Sequence, residues 1–436
     1  MRLPIVRLRV VHVFVVSAVA MGAVLPLAAQ ATRRATASKA AGRQAVTPPV
    51  AQAWVDVATV SGMGMPSMSD MMKESGGMGA AMGSLFGRKG DKSNAFLRTQ
   101  GAMAGKWMDV TLSTTRNPSL ATATHTVPSG FGLSPALKLQ VVPKAPPPPP
   151  DDDPEFEFER PKGKIYLYWG CGATVRAGQP RVIDLARATP QELGQFFETR
   201  RATQRGAHLA SGRPVWPSKD DKRLVPASAS LAGAHTFTAQ GVPDPFTFTV
   251  PPAQDFMPAI ALQQAKQGGG FALSWNAVSN ARAYFLAAMG AREGGGDAEI
   301  VLWTSSAVPE TGFGLIDYQT NGAVDRWLKE KVLLAPTVTT CAVPAGIFGD
   351  QGAGMLRMIA YGNELHLANP PRPADPSKPW APDWAVKIRV KSVTNAMLGL
   401  DMPGTASGGT RGDAQAKDEK KPKKKGLRGM FGGGGR

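Results

Sequence analysis

Seven methionines within twenty residues form the densest group of side chains in this sequence that could do chemistry. Thioether sulfur is a soft, uncharged ligand that suits Cu(I) or Ag(I) and holds hard cations poorly. Spacings of two and three residues let a flexible loop present several sulfurs to one ion. The pattern predicts a Cu(I) or Ag(I) site; the alternative is a glycine- and methionine-rich loop that packs adaptively or contacts a partner or lipid. The residues are Met63, Met65, Met68, Met71, Met72, Met78 and Met82.

Basic side chains are concentrated at the carboxyl end, where five lysines precede a few apolar residues. Such a segment can hold an anionic membrane or wall polymer weakly, and the alternative is a disordered tail without a partner. The two ends carry most of the formal charge of +17, so the central part is only mildly basic and predicts no nucleic-acid groove. The residues that would make this contact are Lys420, Lys421, Lys423, Lys424, Lys425 and Phe431.

No sequence signature of an enzyme is present. The histidines are widely separated, and His-Glu-x-x-His, Cys-x-x-Cys and Gly-x-Ser-x-Gly are all missing. The acidic run 151–159 lacks the glycine turn and ligand spacing of a calcium loop, which favours a solvated linker. A catalytic site assembled in space stays open. The five histidines are His12, His125, His208, His235 and His366.

The first 31 residues have the three regions of a secretory signal. Arg2, Arg7 and Arg9 precede an apolar run over 10–29, and Ala29-x-Ala31 ends it. An uncleaved membrane anchor is the alternative, since the run is long enough to span a bilayer. We therefore expect a periplasmic or secreted protein that is not integral to the membrane after cleavage.

Export bears on the two cysteines, Cys171 and Cys341. An even pair in an oxidising compartment usually bonds, so we predict a disulfide that joins two halves of the chain; the alternative is two buried free thiols.

The backbone pattern predicts a mainly β protein. Forty-nine glycines and 37 prolines favour short strands and turns. Trp54-Val-Asp-Val57 is echoed by Trp107-Met-Asp-Val110, and both continue with period two, which predicts two strands that pair. With a further strand over 137–141 they form a small β unit, 51–143, whose loop 62–90 holds the methionines. A disordered spacer, 32–50, precedes this unit.

A proline-rich and acidic linker, 144–160, separates that unit from a β-rich domain, 161–256. There Thr189, Pro190 and Glu192 form a helix start with a capping box, and we predict a surface helix over 190–202.

The segment from Phe271 to Leu286 resembles the early strands of fibronectin type III domains, whose second strand ends in a core tryptophan, here Trp275; Tyr284 follows shortly after. The resemblance implies a two-sheet Ig-like sandwich over 265–400, and it implies a fold rather than a function. An inserted helix, 322–334 with Asn321 as its cap, departs from the usual pattern. Residues 401–436 would be a disordered basic tail.

The chain as a whole also resembles uncharacterised secreted proteins of Gram-negative bacteria. The shared features are Trp54 to Val57, the methionine-rich loop, Tyr168 to Cys171 and Ala360 to Gly362. No known activity comes with that resemblance. We therefore expect a non-catalytic exported envelope protein that mediates macromolecular interactions, with a periplasmic Cu(I)/Ag(I)-binding protein as the alternative and a hydrolase third. The oligomeric state stays open.

Overall fold

The computed structural model describes residues 44–62, 94–101, 103–134, 136–143, 163–202, 206–294, 297–349 and 354–399. Within them the protein is mainly β, as predicted, with two α-helices. The strands are β1 (Ala51–Gly62), β2 (Gly105–Thr114), β3 (Thr122–Thr126), β4 (Leu137–Gln140), β5 (Lys164–Trp169), β6 (Arg181–Asp184), β7 (Val215–Trp216), β8 (Gly233–Thr238), β9 (Phe246–Val250), β10 (Gln263–Gln267), β11 (Gly270–Ser274), β12 (Ala283–Gly294), β13 (Asp297–Thr304), β14 (Thr340–Val343), β15 (Gly354–Asn369) and β16 (Trp384–Leu398). The helices are α1 (Pro190–Phe196) and α2 (Asn321–Lys329).

Thirteen strands form one large sheet in the order β6-β5-β13-β12-β15-β16-β1-β2-β7-β4-β3-β8-β9. β1 runs parallel to β16, and β5 runs parallel to β13. The three regions predicted from the sequence, 51–143, 161–256 and 265–400, therefore all contribute strands to this one sheet. A second sheet has the order β10-β11-β14.

The two echoing sequences lie side by side. β1 and β2 are antiparallel, and Val57 lies opposite Met108 while Asp56 lies opposite Asp109. Because side chains alternate along a strand, Val55 and Val57 enter the main apolar core, and Asp56 lies on the other face of the sheet. The predicted third strand is β4, which is separated from β2 by β7.

The main core lies between the large sheet and the elements that fold over it. The ring of Phe246 on β9 stacks on Trp384 at the start of β16, with centroids 4.6 Å apart. The sheet is therefore curved so strongly between β16 and β9 that these two strands, seven positions apart in the sheet order, are in contact. Phe271 and Leu273 of the small sheet join the same core, and Trp275 meets Tyr284 edge to face at 5.7 Å.

Both helices begin close to the predicted residues and end earlier. Thr189 and Glu192 form the predicted capping box of α1, but the helix ends at Phe196 rather than at 202. Beyond the helix, the Thr199 hydroxyl donates to Glu310 at 2.6 Å, a contact that holds the chain on its non-helical path. The cap of α2 is Thr320 rather than Asn321, and this helix ends at Lys329 rather than at 334.

The face of the sheet that carries Asp56 is covered by α2 and by the irregular segments on either side of it. Val324 and Trp327 of α2 pack with Trp107 and Tyr361 in a second apolar cluster. A disulfide between Cys171, just after β5, and Cys341 on β14 joins the large sheet to the small one. In the described part of the chain, no helix has both the length and the apolar character needed to cross a membrane.

Candidate functional site

A row of charged side chains crosses three neighbouring strands on the covered face of the large sheet. Asp109 on β2, Asp56 on β1 and Arg389 on β16 are register partners, and they are 1%, 2% and 5% exposed. Arg389 donates two hydrogen bonds to Asp56, from Nε to Oδ1 at 2.7 Å and from Nη2 to Oδ2 at 2.6 Å. The Ala207 N–H also donates to Asp56, at 2.9 Å. Such paired hydrogen bonds make the buried ion pair geometrically specific.

Asp109 lies opposite the Asp56 carboxylate rather than a cation, and among the described residues three hydrogen bonds hold it. Its carboxyl accepts from the Leu97 N–H at 2.8 Å and from both the N–H and the hydroxyl of Thr99. Burial raises the pKa of Asp109 to about 7; the neighbouring Asp56 raises it further, and the Thr99 and Leu97 hydrogen bonds oppose the rise. Asp109 is therefore poised to gain or lose a proton near neutral pH.

A second ion pair, between buried Lys391 and half-buried Asp317, lies beside this row. Lys391, 1% exposed, donates from Nζ to Asp317 Oδ1 at 2.6 Å. Burial lowers the pKa of Lys391, while Asp317 opposes the change. The ring of Tyr318 lies 4.1 Å from the Lys391 ammonium and 4.4 Å from the Arg389 guanidinium, which adds cation–π attraction to both cations.

Little space lies beside the Arg389 and Lys391 side chains. The gap between Tyr318, Tyr361, Glu364 and the two cations does not admit a water molecule. At this place the two cations are engaged with Asp56 and Asp317.

Two histidines form a buried pair elsewhere in the sheet. His125 Nε2 and His235 Nδ1 are 3.0 Å apart, and His235 Nε2 donates to the Leu231 carbonyl at 2.7 Å. Since His235 donates through Nε2, its Nδ1 accepts from His125. Burial lowers the pKa of His125 well below its ordinary value and also lowers that of His235. No third histidine, cysteine or carboxylate completes a metal site around them in the residues described.

The open end of the large sheet offers a surface that a partner can reach. Among the described strands β6 is the terminal one, and Val182 on it is 49% exposed. Leu185 donates its N–H to Gly163 at 2.9 Å, so the alternation of antiparallel bonds directs the N–H and C=O of Val182 away from β5. Beside this edge, a groove of about 310 Å³ separates β6 from α1. It is lined by residues that include Arg181, Val182, Asp184, Arg187, Glu192 and Phe196.

The residues singled out from sequence are distributed as follows. Met63 to Met82 and the tail from Lys420 to Phe431 lie outside the described residues, so their proposed ligands and contacts stay predictions. Cys171 and Cys341 are bonded to each other. His208 packs against Trp54, and His366 Nε2 lies 3.1 Å from Glu364.

The charged row was missed at the sequence level, although a signal was present. Asp56 and Asp109 occupy the same place in the two echoing strands, and each is flanked by apolar residues. A carboxylate inside an apolar strand pattern indicates a buried partner. His125 and His235 gave no such signal, because 110 residues separate them.

No family model, no curated protein and no solved structure matches this chain.

Proposed function

We propose that this chain is an exported, non-catalytic cell-envelope protein that binds other macromolecules, and that the free edge of β6 pairs with an extended segment of its partner. The single observation that carries the proposal is the outward-facing backbone of Val182 beside the groove. Extended peptides add to exposed sheet edges through main-chain hydrogen bonds, and adjacent pockets select their side chains.

The groove supplies the second half of such a recognition site. α1 lies along one side of it, and the side chains of Arg181, Asp184, Arg187 and Glu192 offer both signs of charge. A peptide backbone paired with β6 would place alternate side chains toward these groups, because side chains alternate along a strand. Selectivity would then depend on peptide sequence rather than on net charge.

Residues 263–398 support a proposal about architecture. We infer that they form the Ig-like sandwich of the fibronectin type III kind that the sequence resembles. Three strands, β10-β11-β14, share a core with the consecutive strands β13-β12-β15-β16, and Trp275 packs on Tyr284 between them. Two antiparallel sheets around one core are the defining arrangement of such domains.

Export is supported by the leader pattern and by the disulfide. Structural disulfides persist in oxidising compartments such as the periplasm or the cell exterior. The pair Cys171–Cys341 fits that environment. Detection of the protein in a periplasmic fraction, with its amino terminus cut after Ala31, is the expected result; recovery from the cytosol with Met1 intact would contradict it.

Binding at the edge can be tested by removing one N–H. Proline at position 182 deletes the donor that faces away from β5, while the ladder between β5 and β6 stays paired. The matched control is Val182→Thr, which replaces one methyl group by a hydroxyl at nearly the same shape and keeps the donor. Peptides selected from a displayed random library on the full-length protein are expected to bind wild type and V182T, and to lose binding to V182P.

Unchanged thermal unfolding of V182P would show that the lost binding is local. Selected peptides that bound V182P as tightly as wild type would place recognition elsewhere and end the proposal for β6. A library that yielded no binder would also count against it.

A further inference from the structure

A cavity of about 410 Å³ lies at the opposite end of β5 from the linker, beside the disulfide. Three parts of the chain converge there: the turn after β5, the segment after β13, and the C-terminal end of α2 with the residues that follow it. The lining residues are Cys171, Arg176, Ser305, Ala307, Leu328, Lys331, Leu333, Leu334 and Ala335.

The lining combines an apolar wall with two cations. Leucines and alanines supply most of the surface, while Arg176 and Lys331 are exposed at the rim. The lining contains no carboxylate, and no described acidic group lies within 4.0 Å of either cation. The cavity therefore has an excess of positive charge next to an apolar surface.

Local structure holds the Arg176 guanidinium and the backbone of Lys331. Arg176 Nη2 donates to the Cys171 carbonyl at 3.1 Å, and the guanidinium lies over Gly170, where an added Cβ would come within 2.7 Å of Cζ. Gly170 has a φ of +96°, a left-handed conformation that favours glycine, and the absence of a side chain leaves room for the guanidinium. The Lys331 N–H donates to the Leu328 carbonyl at 3.1 Å, and its own carbonyl accepts from Ala307 at 2.8 Å.

We propose that this pocket binds a free single-chain amphiphile with an anionic head, of the fatty-acid class. The two cations would hold the carboxylate at the rim, since hydrogen bonds to an ionised acceptor are the stronger kind. The leucines would receive the chain, because burial of apolar surface supplies the main favourable free energy. The volume lies in the range of small-molecule sites, which are mostly apolar with a few placed polar groups. This pocket is separate from the β6 edge, so a negative result for one proposal does not bear on the other.

Calorimetric titration of the full chain tests the proposal. Decanoate is the probe, and decyltrimethylammonium is the matched cation, both below micelle-forming concentrations. Arg176→Gln with Lys331→Gln removes the two rim charges, and Arg116→Gln with Lys222→Gln removes two exposed charges elsewhere. Wild type and the R116Q/K222Q control are expected to bind decanoate alike, and R176Q/K331Q about tenfold or more weakly, as expected for one lost charge-assisted hydrogen bond.

Two further arms identify the site and the source of the ligand. Ala335→Trp places a large ring at an exposed wall of the pocket, so it is expected to abolish decanoate binding while the fold persists. Vesicles of anionic phospholipid are expected to bind wild type and R176Q/K331Q alike. Any one of four results would overturn the proposal. Decanoate binding could be weakened equally in R116Q/K222Q, or be unchanged in A335W. The cationic probe could bind more tightly than decanoate, or vesicle binding could depend on Arg176 and Lys331.

Discussion

The contribution of Asp109 to the stability of this protein falls as the pH rises from acid to neutral. The unfolded chain releases this proton near the ordinary pKa of 3.8, whereas burial in the folded protein raises the pKa of Asp109 to about 7. Between these values only the folded state holds the proton, so unfolding releases it and higher pH favours unfolding. The stabilisation is complete below the unfolded pKa and is lost as the pH passes through the folded one.

The size of the effect follows from the width of that window. Over about three pH units, at about 1.4 kcal/mol for each, the free energy of unfolding loses about 4 kcal/mol. Asp109→Asn removes the titrating group, since an amide stays neutral throughout. The free energy of unfolding of wild type minus that of D109N should therefore fall by about that amount between pH 4 and pH 7.5.

Urea unfolding followed by tryptophan fluorescence at several pH values measures this difference. All other titrating groups are common to both proteins, so they cancel in the subtraction. Asp383→Asn, at an exposed position, is the control and should leave the pH dependence unchanged. A difference between wild type and D109N that stayed constant with pH, or that grew as the pH rose, would refute the reasoning.

Three further perturbations test the charged row, the histidine pair and the disulfide. Arg389→Leu leaves Asp56 buried without its cation and is expected to destabilise the fold by about 3–5 kcal/mol in urea unfolding; a loss below about 1 kcal/mol would show that the pair is not buried as described. Burial lowers the pKa of His125, so its neutral form stabilises the fold above the unfolded pKa and this contribution is lost as the pH falls. The free energy of unfolding of wild type minus that of His125→Gln should thus drop by about 1.4 kcal/mol for each pH unit below pH 6.5; a difference that stayed constant with pH would contradict the assignment. Replacing Cys171 and Cys341 by serine removes a covalent link between residues 170 apart in sequence. Without reductant, the variant is expected to have a free energy of unfolding up to about 5 kcal/mol lower than that of wild type. Reduced wild type should match the variant.

Local patterns predicted the strands well because alternation is a property of each segment alone. The echo of Trp54-Val-Asp-Val57 in Trp107-Met-Asp-Val110 indicated two strands that pair, and β1 and β2 do so. The capping box at Thr189 also marked the start of α1, since its hydrogen bonds involve residues three apart. Such features depend only on residues that are close in sequence, so they can be predicted from the sequence alone.

The predicted ends of α1 and α2 were wrong, because a contact distant in sequence holds the chain after α1 and a left-handed residue ends α2. Thr199 leaves the helical path to donate to Glu310, 111 residues away. At the end of α2, Lys331 adopts a left-handed φ of 58°, which stops the helix before the apolar residues that extended the predicted pattern. Tertiary hydrogen bonds can override a weak helical preference in a segment of this length.

The pairing of β1 with β16 was beyond sequence reasoning, since period two identifies the faces of a strand but not its neighbours. Once the two strands are adjacent, however, Asp56 and Arg389 determine how they align. A slip by one residue would turn Asp56 toward the face where Val55 and Val57 meet Ile388, and would leave both charges buried without partners. An isolated buried charge is strongly unfavourable, so misaligned pairings are disfavoured far more than apolar packing alone would make them. The ion pair therefore contributes to the uniqueness of the fold: replacing Asp56 and Arg389 together by leucines should preserve much of the stability while permitting alternative alignments, visible as additional amide resonances from β1 and β16.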